Sequence, residues 1–109
     1  GRVAYGTSKT AITGLTRQFA MELGCFGITV NAVAPGPVLT PMTEKNYTPQ
    51  TKAAFDAMIP AKRMGTTGEI ADAIVYLCGD GAAYINGVTL PVDGGYLAAG
   101  IGTTAGIRA

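Results

Sequence analysis

Histidine is absent from all 109 residues. Ser-His-Asp and Cys-His catalysis are therefore excluded within this chain, and so is any imidazole metal ligand. Cysteine is scarce: Cys25 and Cys78 lie far apart and form no CxxC pair. Two free, mostly buried thiols are the expectation, ahead of a disulfide. No apolar run approaches the roughly eighteen residues that a membrane-crossing helix needs, and the N-terminus has no signal-peptide layout. Charge of one sign is lacking too, with eight Lys and Arg against seven Asp and Glu, a net +1 and no long run of either. Phosphate backbones and anionic membrane surfaces call for clustered cations, so neither nucleic acid nor membrane is an expected partner. The location expected on these grounds is cytoplasmic.

What is present is mainly apolar. Hydrophobic residues make up 48% of the chain and charged residues 14%, a core-rich balance unlike that of a disordered tail. The length is that of one modest domain, able to bury roughly two thirds of its unfolded surface. From about Ala4 to Leu23, Ile12, Leu15, Phe19 and Leu23 recur at three- and four-residue steps, predicting a helix with one buried stripe. Gly24 and Gly27 bracket its end. Ile28 to Ala34 is short, apolar and β-branched, and reads as a strand buried on both faces of a parallel sheet. Pro35-Gly36-Pro37 forces an irregular turn, which Pro41 extends.

Residues 42–65 are polar and proline-punctuated, with a short helix expected around Gln50 to Met58. This is the composition of a mobile flap over a ligand. Within it, Tyr47, Phe55 and Met58 either line a pocket or pack internally, and Lys62 and Arg63 read as solvated charges. Thr66-Thr67-Gly68-Glu69 fits a capping box opening a second helix, whose stripe is Ile70, Ala73, Ile74 and Leu77 and whose end is Cys78-Gly79-Asp80. Val88 to Val92 reads as another buried strand, closed by the turn Asp93-Gly94-Gly95. Asn31, polar inside a strand, is expected to bond nearby backbone. The tail 97–109 has no periodicity. Gly100-Ile-Gly102-Thr-Thr-Ala105 matches the dinucleotide pattern G-x-G-x-x-[GA], yet it lacks the strand and helix by which that pattern works. No internal repeat is present. Two buried strands cannot form a stable sheet alone, so the chain reads as a single incomplete domain, half of a larger sheet.

Tyr5 and Lys9, four residues apart in Tyr5-Gly-Thr-Ser-Lys9, share one face of a helical turn. A phenol beside an ammonium is an arrangement suited to proton donation and acceptance.

Together with Ile28-Thr-Val-Asn-Ala-Val-Ala-Pro-Gly36, Val38, Thr40 and Gly87-Val-Thr-Leu-Pro-Val-Asp-Gly-Gly95, this segment resembles the C-terminal portion of a classical short-chain dehydrogenase/reductase. The blocks occur in that family's order and spacing. The resemblance covers residues 3 to about 97 and is closest to 3-oxoacyl-carrier-protein-reductase-like members. It implies the C-terminal half of a Rossmann-like doubly wound parallel sheet (helix, strand, flap, helix, strand). It further implies hydride transfer between NAD or NADP and a small alcohol or carbonyl substrate. Tyr5 would exchange a proton with the substrate oxygen, and Lys9 would stabilise the phenolate and bind the nicotinamide ribose. Pro35, Gly36, Pro37, Val38 and Thr40 would lie against the nicotinamide, with the Val38 backbone and the Thr40 hydroxyl near its carboxamide. A branch of the family that pairs Tyr with Arg for dehalogenation is disfavoured by Lys9.

The family's glycine-rich phosphate loop, its NAD/NADP selector and its catalytic serine all precede the Tyr-x-x-x-Lys motif. The resemblance thus implies an N-terminal half of the same fold as a partner, and a homo-oligomer, dimer or tetramer. A truncated, inactive remnant serving as an oligomerisation module is the alternative. Neither the substrate nor the choice of NAD or NADP follows from these residues.

Overall fold

The computed structural model describes residues 1–98. Two compact units divide them, one of residues 1–35 with 68–92, the other of residues 36–67 with 93–98. In the first unit, helix α1 (Val3–Leu23) leads into a 3₁₀ turn (Gly24–Phe26) and strand β1 (Ala32–Pro35). The same unit holds α4 (Thr67–Cys78, from its second residue), a 3₁₀ turn (Asp80–Ala82) and β4 (Thr89–Val92). The second unit holds β2 (Val38–Leu39), α2 (Pro41–Asn46), α3 (Pro49–Met58) and β3 (Gly65–Thr66).

Both sheets are two-stranded and parallel. β1 pairs with β4 in the register Ala32 to Thr89 through Pro35 to Val92, and β2 pairs with β3 through Val38 to Gly65 and Leu39 to Thr66. Helices interleaved with parallel strands make the chain α/β, as its pattern predicts. Gly27, at φ 73°, ends the first 3₁₀ turn in the left-handed conformation.

The predicted strand 28–34 is shorter in the structure, and side chains account for the difference. The Val30 N–H donates to Asn86 Oδ1 at 2.8 Å, and the Gly87 N–H donates to the Val30 carbonyl at 2.9 Å. Asn31 Nδ2 donates to the Ile85 carbonyl at 2.8 Å, while its Oδ1 accepts from the Val88 N–H at 3.1 Å. Two asparagine amides thus take up backbone groups that a ladder would otherwise use. Regular pairing begins only at Ala32. Asn31 is structural, as expected.

Burial corrects three expectations. Of the expected stripe, Ile12, Leu15 and Phe19 are exposed, each by 43% or more, and only Leu23 is half-buried, whereas Thr16 and Ala20 are buried. Their small side chains let α1 approach its neighbours closely, with Ala20 Cβ lying 3.3 Å from where a Gly87 Cβ would stand. The larger residues sit roughly a quarter turn away around the helix, where they stay about half exposed. The strands, expected to be buried on both faces, are only half-buried, since each pairs with a single neighbour. Both cysteines are free, as expected, but exposed.

The helix predicted around Gln50 to Met58 is α3, and the helix opening near Thr67 is α4. The flap is more ordered than its composition suggests, carrying β2 just before it, α2 within it and β3 at its end. The tail beyond residue 98, including the Gly100 pattern, lies outside the described residues.

Candidate active site

Helix α1 sets the geometry of the first candidate group. Tyr5, Lys9, Thr16, Ala20 and Leu23 fall within an arc of about 60° at 3.6 residues per turn. Tyr5 and Lys9 therefore continue the packed face of the helix toward its N-terminal end, where both side chains are exposed. Lys9 Nζ stands 5.6 Å from the centroid of the Tyr5 ring, within range of a cation–π contact. Ser8 Oγ donates to the Tyr5 carbonyl at 2.7 Å and Thr10 Oγ1 to the Gly6 carbonyl at 2.9 Å. The Ser8 and Thr10 hydroxyls are thus folded back onto the helix, while the phenol and the ammonium face outward.

Pro35 ends β1. Gly36, Pro37, Val38 and Thr40 follow in the second unit as one tightly braced loop. The Gly65 N–H donates to the Pro37 carbonyl at 2.9 Å, as the β2–β3 register requires. In a parallel ladder alternate residues turn their backbone groups to opposite edges, so the Val38 N–H and C=O face away from β3. Thr43 Oγ1 donates to that Val38 carbonyl at 3.0 Å, or to the Thr40 carbonyl at the same distance. It also accepts from the Thr40 N–H at 2.7 Å, while Thr40 Oγ1 accepts from the Thr43 N–H at 3.2 Å. This reciprocal pair, with Pro41 at the first helical position, caps α2. With the one Thr43 proton serving carbonyls, the Thr40 hydroxyl is placed to donate to Thr43 Oγ1 at 3.2 Å, and the Val38 N–H is left as the donor facing away from β3.

The structure therefore brings Tyr5 and Lys9 together on one helical face, and groups Val38 and Thr40 around Thr43. Sequence reasoning missed Thr43, although its spacing from Thr40 across Pro41 is that of a cap. It also missed Asn86, which has no pattern of its own. No group of His, Cys, Asp or Glu that could hold a metal occurs among the described residues. None of their helices is long and apolar enough to cross a membrane.

Comparison with known proteins decides the family. A profile described as enoyl-(acyl carrier protein) reductase matches residues 1–97. The chain belongs to the short-chain dehydrogenase/reductase family. Among its relatives, the 2-(R)-hydroxypropyl-CoM dehydrogenase of Xanthobacter autotrophicus is 43% identical over 99 residues, which cover 90% of this chain and 40% of that protein. The 3-oxoacyl-[acyl-carrier-protein] reductase of Pseudomonas aeruginosa is 44% identical over 95 residues, 87% of this chain and 38% of that protein. A Serratia marcescens short-chain dehydrogenase/reductase, solved as a double mutant, superposes with a TM-score of 0.79 at 40% identity, covering 88% of this chain and 38% of that one. The chain thus spans about two fifths of these short-chain dehydrogenase/reductases, corresponding to a C-terminal portion of them. Its parallel α/β arrangement is the Rossmann-like fold of that family.

Proposed function

We propose that the chain carries the proton-transfer side of an oxidoreductase, acting on a small alcohol or carbonyl with NAD or NADP. The observation that carries this reading is the Tyr5–Lys9 pair on one face of α1, with the ammonium 5.6 Å from the phenol ring centroid. The nicotinamide, when bound, supplies or accepts the hydride. Tyr5 gives its hydroxyl proton to the substrate oxygen in reduction and takes it back in oxidation. Lys9 offsets the negative charge that Tyr5 carries between these steps and offers N–H donors to ribose hydroxyls. The Val38 N–H and the Thr40 hydroxyl are donors of the kind a carboxamide oxygen needs. Pro35, Gly36 and Pro37 give that wall its shape, and residues 42–65 form a flap over the substrate.

Phosphate binding and carbonyl orientation are further requirements of this chemistry. We assign them to an N-terminal segment of the same fold. The homo-oligomer common to the family's members is part of the same reading.

The test is steady-state turnover of alcohols and ketones by the polypeptide that contains this sequence, with Tyr5→Phe beside the wild type. Removing the phenol proton lowers kcat by about 10²- to 10⁴-fold, with nicotinamide affinity retained. Turnover of Tyr5→Phe at the wild-type rate would sink the assignment.

The exposed face of Ile12, Leu15 and Phe19 favours one second reading, a non-catalytic association module. Soluble oligomers by light scattering, with no nicotinamide binding by calorimetry, would select it.

A further inference from the structure

Residues 40–58 follow Gly36 and the short strand β2, which is paired to β3, and end at Ile59 to Ala61. Both ends meet the same turn, Asp93-Gly94-Gly95. A Cβ on Gly36 would stand 2.7 Å from Asp93 Cα and 2.7 Å from Asp93 Cβ, so only glycine permits that contact. At the other end, the Ala61 N–H donates to the Gly94 carbonyl at 3.1 Å. A Cβ on Gly94 would lie 2.8 Å from Ile59 Cγ2 and 3.0 Å from Ala61 Cβ, and one on Gly95 would lie 3.2 Å from Pro60. Gly94 and Gly95 have φ of 63° and 88°, in the left-handed region open to glycine. Asp93 holds the turn in shape, its Oδ1 accepting from the Gly95 N–H and its Oδ2 from the Leu97 N–H, both at 2.9 Å.

The ends and the body of this segment differ in how firmly they are packed. Ile59 is 1% exposed, whereas α3 has no buried residue and α2 has only Thr43. Tyr47, just after α2, stacks on Phe55 of α3 with ring centroids 5.4 Å apart and planes 27° apart, tying the two helices to each other. α3, with no buried residue of its own between firmly seated ends, has the stability profile of a moving element.

We propose that the Asp93–Gly95 turn is the common seat of both hinges of a lid formed by α2 and α3. Asp93 is then a positioning residue, acting on substrate only through the lid. This inference rests on the oxidoreductase reading for what the lid covers, but not for how it moves.

The experiment measures hydrogen exchange by mass spectrometry on the full polypeptide, comparing wild type with Gly36→Ala, Asp93→Ala and Asp93→Asn. Asp93→Asn keeps the acceptor for Gly95 but not the one for Leu97, and carries the comparison if the others do not fold. Exchange across residues 43–61 rises about tenfold or more in Asp93→Ala, the scale of a lost hydrogen bond to a charged group. It rises less in Asp93→Asn, and amides of β1 and β4 keep their protection. With a carbonyl substrate, KM rises in the two Asp93 variants while kcat stays within about twofold. Unchanged exchange in residues 43–61, an equal rise throughout the chain, or local loosening with KM unaltered would each overturn the proposal. Local loosening in a protein whose wild type shows no turnover supports the hinge and counts against the oxidoreductase reading instead.

Discussion

Asn86 Nδ2 donates to the Ala20 carbonyl at 3.0 Å, joining a residue just before β4 to the helix that carries Tyr5 and Lys9. The same side chain accepts from the Val30 N–H through Oδ1, so one amide ties the end of α1 to the approach to β1. Replacing Asn86 with Ala removes both bonds and is expected to cost about 1–3 kcal/mol. Asn86→Asp keeps the acceptor and loses the donor, and should fall between the two. Urea unfolding midpoints at constant m-value give the comparison.

Thr43 is buried and its hydroxyl serves Val38 and Thr40 together. Thr43→Val has nearly the same shape but leaves the Thr40 N–H without its partner. A loss of about 1–3 kcal/mol is expected, against about 1 kcal/mol for Thr40→Ala, which removes only the cap. The measurement is thermal unfolding of both variants under one buffer. A smaller loss for Thr43→Val than for Thr40→Ala would show that the hydroxyl is not the hub of this loop.

Lys62 adopts φ 59°, the left-handed region in a residue with a Cβ. Its Nζ donates to the Ala57 carbonyl at 3.1 Å, an exposed bond of small worth. Lys62→Gly relieves a backbone cost of about 1–2 kcal/mol, partly offset by the greater freedom of glycine in the unfolded chain. A raised melting temperature is expected, and Lys62→Ala should not share it.

Cys25 and Cys78 are exposed and free. Both thiols should therefore react with a disulfide reagent in the native protein, without denaturant. A single reactive thiol per chain, or none, would mean that one of them is covered in solution.

Much of this was legible in the sequence, because helical periodicity, glycine and proline report local geometry. The α1 period, the α3 and α4 segments and the Asp93 turn are of this kind, as is the Tyr5–Lys9 face. What the sequence did not reveal depends on distant partners. Ile12, Leu15 and Phe19 have the spacing of a buried stripe, yet Thr16 and Ala20 make the contact, because close approach favours small side chains. Ile28 to Asn31 is β-branched enough for a strand, but the amides of Asn31 and Asn86 divert its hydrogen bonds. β2 and β3 are two residues each, too short for any periodicity to register. Thr43 carried a signal in its spacing from Thr40, and Asp93 carried one in the two glycines that follow it. What neither could announce was Gly36 lying against the aspartate.

Both ends of the segment from Pro37 to Met58 are tied down at one small turn, which gives it the character of an exchangeable cassette. The closure entropy of a loop grows slowly with its length, so such a stretch tolerates insertion and replacement as long as its anchor points are kept. A redesign for another substrate would therefore exchange residues 44–58, keep Gly36 to Thr43, Ile59 and Asp93, and leave the tyrosine and lysine of α1 untouched.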